Sequence, residues 1–354
     1  MKVTRFIPSV VFGEKSFDDL NAFVDKSYPD KKQYCVYVID SVHRETGLLE
    51  RLRPAPHDLV KEFNASAHEP KTSDVDIMVQ EIVSQKGLEL PRVVIGIGGG
   101  STMDVAKAVS VMLTNPGSAA DYQGWDLVQN KAVPKIAVPT LSGTGAEATR
   151  TAVLTGPIKK LGINSDYSIY DAALLDPDLI KTVPGDQEFY TGMDNYIHCV
   201  EALHGSAMND LGRPFALQAK MGVENFFLRE KNYAEFMVSS FLGGCSIANS
   251  SVGICHALSY GIAFILDYRH GIANSIVFNH LEEFYGEDVL KFRQMIERHN
   301  ITIPAGVTRE VSPEQYDKMI NLTYMLERDL ISALGPDFKK ILTPEKILEL
   351  YEKM

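Results

Sequence analysis

The sequence is poor in the features that mark several broad protein classes, and each shortage excludes one. Four cysteines in 354 residues, Cys35, Cys199, Cys245 and Cys255, make no C-x-x-C pair. So few thiols build no disulfide framework, and a reducing, cytoplasmic setting is the expectation. No run approaches the roughly 18 uninterrupted apolar residues of a membrane-spanning helix. The opening Met1–Gly13 has no long apolar core behind its basic residues and does not read as a secretory leader. Positive charge is scarce: 35 Lys and Arg against 46 Asp and Glu leave a formal charge of −11. A surface this acidic repels phosphate backbones and anionic lipid, so neither nucleic acid nor membrane is an expected partner and a small molecule is. Internal repeats and low-complexity tracts are absent. What is present is 45% hydrophobic and 23% charged, the composition of a folded globular chain. Its length exceeds one small core, so two domains are expected.

The two halves differ in hydrophobic period. In the first, short β-prone runs alternate with helical ones. Val10 to Phe12 reads as a strand ending at Gly13, and Ser16 as the cap of a helix carrying Phe17, Leu20, Phe23 and Val24. Cys35 to Ile39 is a continuous apolar run, the mark of a strand buried on both faces. Asp74 to Lys86 keeps Val75, Met78, Val79, Ile82 and Val83 on one helical face and stops at Gly87. Arg92 to Ile97 and Lys135 to Val138 are further strands, with a helix from Thr102 to Leu113 between them. This order predicts a parallel sheet covered by helices. From about Val183 onward apolar residues recur at three and four. Met193, Ile197, Val200 and Leu203 form one stripe, and a single helix is expected over Glu314 to Leu334. The expected division is an α/β domain over residues 1–183 and an all-α domain over residues 184–354.

Two loops at strand ends attract attention. Gly96-Ile97-Gly98-Gly99-Gly100-Ser101-Thr102 ends a strand and opens a helix, so free N–H groups and a positive dipole end would face a pyrophosphate. A plain tight turn explains the same glycines, since the spacing is not G-x-G-x-x-G. Asp104 and Lys107 follow, each readable as a solvated helix charge. Pro139 to Glu147 is a second small-residue loop, with Thr140, Ser142 and Thr144, on the same edge of a parallel sheet. Asp40 closes the strand before both. Its carboxylate suits a ribose diol and repels a 2′-phosphate, favouring NAD over NADP, although an Asp opening a turn is equally natural there.

In the helical half, Asp194 and His198 are four apart and share a helix face. His256 and His270 lie in other stretches of small and apolar residues. A buried imidazole needs a partner, and one Asp with three His makes a four-ligand N/O set suited to Zn2+ or Fe2+. The bland alternative for each is a core histidine bonded to backbone.

Taken as a set, these motifs resemble the iron-containing (group III) alcohol dehydrogenases, whose superfamily also includes glycerol dehydrogenase and dehydroquinate synthase. Gly98 to Lys107 is similar to the family's nucleotide-binding signature. Pro139 to Glu147 is similar to its second cofactor loop, with Leu141 and Ala146 where a Thr and a Ser are usual. Thr191 to His198 and His270 to Asn274 match the motifs around its metal ligands. The resemblance implies a Rossmann-like parallel-sheet domain and a dehydroquinate synthase-like helical domain, with the active site in a cleft between them. It implies Asp194, His198, His256 and His270 as ligands of a divalent metal, and Asp40, Gly98, Gly99, Gly100, Ser101, Asp104, Thr140, Thr144 and Lys160 at or near the NAD site. It also implies a homodimer.

Many members carry a histidine four residues after the third ligand, implied in proton relay. Tyr260 stands there in this chain, and tyrosine, which titrates near about 10, is a poorer base at neutral pH. Within the family, Arg5 to Gly13 and Tyr260 look most similar to members that oxidise the C8 primary alcohol of 3-deoxy-D-manno-octulosonate to an aldehyde for lipopolysaccharide 8-amino sugar synthesis, with NAD or dioxygen taking the electrons. A sugar-acid carboxylate needs a cation, and Arg150, Arg213 and Arg269 are the candidates. A glycerol or short-chain alcohol dehydrogenase and a dehydroquinate synthase-like lyase are the alternatives. The lyase needs a basic cluster around a phosphate, which is not found beside the metal motif.

Overall fold

A computed structural model describes residues 4–354; the first three residues of the Met1–Gly13 segment lie outside it. The chain divides into two compact units. One is Phe6–Thr182; the other is Val183–Met354 joined by residues 4 and 5. Arg5 is tied to the second unit by its backbone: its N–H donates to Asn249 Oδ1 (2.7 Å) and its carbonyl accepts from Asn249 Nδ2 (2.9 Å).

The α/β unit contains nine strands: β1 Ser9–Phe12, β2 Cys35–Asp40, β3 Leu59–Phe63, β4 Val93–Gly98, β5 Gly124–Trp125, β6 Lys135–Pro139, β7 Thr151–Thr155, β8 Lys160–Asn164 and β9 Ala172–Leu175. Its α-helices are α1 Leu20–Ser27, α2 Leu48–Leu52, α3 Thr72–Lys86 and α4 Gly100–Met112. Six strands form one sheet in the order β1-β9-β6-β4-β2-β3, with every pairing parallel. Alternation along β2 and β4 explains their unbroken hydrophobicity. Val36, Val38 and Val94 pack under α3 and α4, while Cys35, Tyr37, Ile39, Ile95 and Ile97 pack against α1 and α2. Registers Ile39↔Ile97 and Gly98↔Pro139 bring the ends of β2, β4 and β6 to one edge. The chain runs outward from β2 to β3 and then returns across β2 to β4. The crevice at this reversal is where open α/β sheets bind ligands.

Three features depart from the expected local structure. Ser16 does not cap α1; it begins a 3₁₀ turn, Ser16–Asp19, after a left-handed Lys15. The buried Asp176 carboxylate satisfies that turn from afar, accepting the N–H groups of Lys15 and Phe17, each at 3.0 Å. The antiparallel pair β7–β8 is not apparent in the sequence because its residues are mixed in polarity. The stretch expected to be one helix, Glu314 to Leu334, is two helices broken at Leu326. No glycine or proline marks the break; Leu326 leaves helical geometry while its side chain enters the core.

The second unit is all-helical: α5 Gly185–His204, α6 Arg213–Leu228, α7 Tyr233–Ala248, α8 Ile254–Leu266, α9 His270–Phe278, α10 Glu282–Tyr285, α11 Glu287–His299, α12 Pro313–Met325, α13 Glu327–Leu334, α14 Phe338–Ile341 and α15 Pro344–Glu352. The most enclosed is α5, where Met193, Tyr196, Ile197 and Val200 are fully buried. No helix among the described residues is long and apolar enough to cross a membrane.

Helix α4 rides close on β4 because Gly96 has no side chain. A Cβ there would lie 2.8 Å from both Ala106 Cβ and Tyr170 Oη, and that hydroxyl is already fixed on the Met103 carbonyl (2.8 Å). Gly96→Ala is expected to destabilise the α/β unit by about 1–3 kcal/mol through overpacking, read as a lower urea midpoint. An unshifted midpoint would mean that α4 yields freely.

Candidate metal centre and nucleotide edge

Helical spacing on α5 puts three ionisable side chains in line: Asp194, then His198 four residues on, then Glu201 three further. All three are buried. His256 stands in the first turn of α8, and His270 is the first residue of α9. One potential ligand atom from each of Asp194, His198, His256 and His270 lies within 4.8 Å of all the others. Asp194 Oδ1 is 3.5 Å from the Nε2 atoms of both His256 and His270 and 4.0 Å from that of His198. The His198 and His256 rings stack with centroids 4.6 Å apart.

The electrostatics follow from burial and charge. Burial alone would raise Asp194, but His198, His270 and His256 hold its carboxyl far below the usual range. Burial pushes His198 down to about 4. It opposes charge on His256 too, while the flanking Glu201 and Asp194 carboxylates favour a proton on that ring. Asp194 Oδ2 is buried without a hydrogen-bond partner, a costly state for a carboxylate oxygen that a cation relieves. Three imidazoles and one carboxylate converging there fit a divalent ion such as Zn2+ or Fe2+.

On the α/β unit, Asp40, Gly98 and Thr140 meet at the sheet edge. The Asp40 carboxylate accepts Val42 N–H (3.2 Å), capping the short turn after β2. The second loop closes over the glycine turn. A Cβ on Gly99 would lie 2.6 Å from Leu141 Cδ1, and one on Gly100 2.6 Å from Thr144 Oγ1. Packing alone therefore favours glycine at both positions, more firmly at Gly100, where the neighbour is the short Thr144 side chain. Thr140 N–H donates to the Gly98 carbonyl (2.9 Å). Thr102 Oγ1 and Ser142 Oγ are buried here without partners. Hydroxyls left over beside the N-terminus of α4, with Ser101 in its first turn, suit a pyrophosphate.

The family profile described as iron-containing alcohol dehydrogenase matches residues 8–177. The profile of the same family's C-terminal part matches residues 188–328. The chain belongs to the iron-containing alcohol dehydrogenase family. Among its curated relatives is the NAD-dependent methanol dehydrogenase of Bacillus methanolicus, 29% identical over 260 residues, 70% of this chain and 67% of that protein. Sulfoacetaldehyde reductase of Bilophila wadsworthia is 35% identical over 192 residues, 52% of this chain and 50% of that protein. Alcohol dehydrogenase 4 of Schizosaccharomyces pombe is 30% identical over 203 residues, 55% of this chain and 48% of that protein. The chain thus spans about half the length of the last two relatives. The solved iron-containing alcohol dehydrogenase of Thermococcus thioreducens shares the fold at a TM-score of 0.79 and 21% identity, over 99% of this chain and 98% of that one. A 1,3-propanediol oxidoreductase structure does so at 0.83 and 20%, over 99% of each chain.

Other expected site residues of this family member are already engaged. Asp104 is no solvated helix charge: it is largely enclosed, accepts Val153 N–H (2.9 Å), and desolvation raises its carboxyl to about 6. Lys107, buried rather than solvated, donates to Thr149 Oγ1 (2.9 Å) and the Thr151 carbonyl (2.7 Å). Lys160 Nζ lies 3.3 Å from Glu69 Oε2. Arg150 pairs with Asp126 and Asp166. Arg213 and Arg269 are exposed, the first opening α6 and the second preceding His270.

Two residues escaped the sequence reading. Glu201 carries a signal: an acid three residues past His198 on the buried face of the same helix. His43 carries none, because Thr140, the partner that ties it to the nucleotide edge, lies 97 residues away. It is buried, with Nδ1 3.0 Å from Thr46 Oγ1 and Nε2 3.0 Å from Thr140 Oγ1. Burial depresses His43 to about 4. A folded-state value below the unfolded one means that the unfolded chain binds the extra proton. The stabilisation is complete above pH 6.5 and is lost as pH falls toward 4. Between pH 7 and 5 the loss is roughly 2 kcal/mol. Thermal unfolding midpoints of His43→Gln should therefore fall less over this interval than those of the parent. Equal slopes would remove His43 as a source of acid sensitivity.

Proposed function

We propose that this chain is a metal-dependent oxidoreductase that interconverts a primary alcohol and its aldehyde, with NAD as the electron carrier. The observation carrying this reading is the convergence of Asp194, His198, His256 and His270 on one buried point. A divalent ion held by these four residues would polarise the substrate oxygen and lower the pKa of a hydroxyl there. Asp194 supplies the negative charge of the set, and the three imidazoles leave part of the ion's charge uncancelled. The glycine turn, Thr140, Thr144 and the amide end of α4 would grip the pyrophosphate, while Asp40 would accept the ribose hydroxyls and disfavour a 2′-phosphate. Positioning and charge stabilisation thus do the work expected of the protein. Tyr260, one turn beyond His256, sets its ring edge-on to His270 with centroids 6.0 Å apart. In this reading Tyr260 is the residue that would hold or hand on the substrate proton.

The named activities of the relatives, on methanol and sulfoacetaldehyde and on 1,3-propanediol, share a terminal reacting carbon, which supports a primary alcohol here. The likeness of Arg5 to Gly13 and of Tyr260 supports a finer reading, the terminal hydroxymethyl of the sugar acid 3-deoxy-D-manno-octulosonate. With Arg150 held by two aspartates, exposed Arg269, adjoining His270, is the better placed of the arginines for a substrate carboxylate.

His270→Ala should abolish metal retention and turnover together, measured by elemental analysis and by NADH formation with peroxide followed in parallel. Full turnover in a demonstrably metal-free variant would end this reading. Across a panel of sugar acids and neutral diols, Arg269→Ala should lower kcat/KM roughly tenfold or more on the acids, the weight of one charge-assisted contact, and spare the diols. Equal losses on both would remove the carboxylate role.

A further inference from the structure

Glu201 Oε1 accepts three hydrogen bonds: from Cys255 N–H (2.7 Å), His256 N–H (3.4 Å) and the Tyr285 hydroxyl (3.2 Å). Oε2 lies 2.5 Å from His256 Nδ1. Backbone N–H groups cannot reverse their role, and an ionised carboxylate only accepts. The first turn of α8 therefore fixes the carboxylate, and Nδ1 must carry the proton donated to Oε2. The other side of the ring tells the same story. Asn274 Nδ2 approaches His256 Nε2 at 3.1 Å while donating to Asp194 Oδ1 at 2.6 Å. A donor facing Nε2 calls for a lone pair there.

We infer that Glu201 is a positioning residue: through its hydrogen bond to Nδ1 it locks His256 in the tautomer whose Nε2 lone pair joins Asp194, His198 and His270, making His256 the anchor of the set. His198 lacks this support, for its Nδ1 is buried with no hydrogen-bond partner. A carboxylate on the far nitrogen also makes the coordinating nitrogen a stronger donor. The consequence for an ion rests on the metal-centre reading above; the tautomer lock itself does not.

Glu201→Gln separates the two. Its amide oxygen must take the place of Oε1, because three donors converge there. The NH2 group then faces Nδ1, which becomes an acceptor, and the ring proton moves to Nε2. In ¹⁵N NMR of histidine-labelled protein, His256 should show a protonated Nδ1 and a bare Nε2 in the parent and the reverse in Glu201→Gln, with helical circular dichroism unchanged. Zn2+ affinity, measured by competition with a chelating dye, should weaken about 10–100-fold. Tyr285→Phe removes one donor from Oε1 but leaves the Nδ1 contact, so it should keep the parent's affinity. A bare Nδ1 or a protonated Nε2 in the parent, a protonated Nδ1 in Glu201→Gln, or undiminished zinc affinity in that variant overturns the inference. The parent spectrum is decisive even if Glu201→Gln fails to fold. A parent that takes up no zinc yet shows the protonated Nδ1 would sink the metal-centre reading and leave the lock standing.

Discussion

The helical unit is organised around a charge imbalance. Two buried carboxylates, Asp194 and Glu201, face three imidazoles from α5, α8 and α9. With those rings neutral, the ligand set carries the single negative charge of Asp194, and Glu201 adds a second behind His256. Buried carboxylates lose several kcal/mol of hydration apiece and must recover it from partners. Glu201 recovers it from N–H groups, the Tyr285 hydroxyl and His256. Asp194 takes one amide donor from Asn274 on Oδ1 and has no hydrogen bond on Oδ2. The difference is plain: one carboxylate is satisfied within the protein, and the other keeps an oxygen to spare.

The α/β unit solves a different problem. Its glycine turn is shaped by contact as much as by any ligand, since Leu141 and Thr144 occupy the space that side chains at Gly99 and Gly100 would need. Two loops from neighbouring strands interlock, and His43 ties the turn after β2 to Thr140 as well. A loop edge braced in this way keeps its amides aligned before any ligand arrives, which is what tight anion binding requires. Leu141, which stands where a threonine is usual in the family, contributes packing and no hydroxyl.

Much of this was legible in the chain itself. Continuous apolar strands, helical stripes after Val183 and the two small-residue loops all follow from side-chain period and backbone permissiveness. Asp194 and His198 could be paired because helical spacing is local. Glu201 could have been found by the same rule, extended by three residues. His43 could not, because Thr140 reaches it only through the sheet edge. The break at Leu326 was equally hidden: no glycine or proline marks it.

By itself the sequence determined which elements form and which chemistry-bearing residues exist, because propensity, period and capping act over a few residues. Tertiary structure decided which charges are buried and what they meet. Asp104 and Lys107, which read as surface charges, became enclosed anchors of β7, and Arg150 became the partner of two aspartates. Those outcomes depend on desolvation and on neighbours distant in sequence, and both are properties of the packed chain alone.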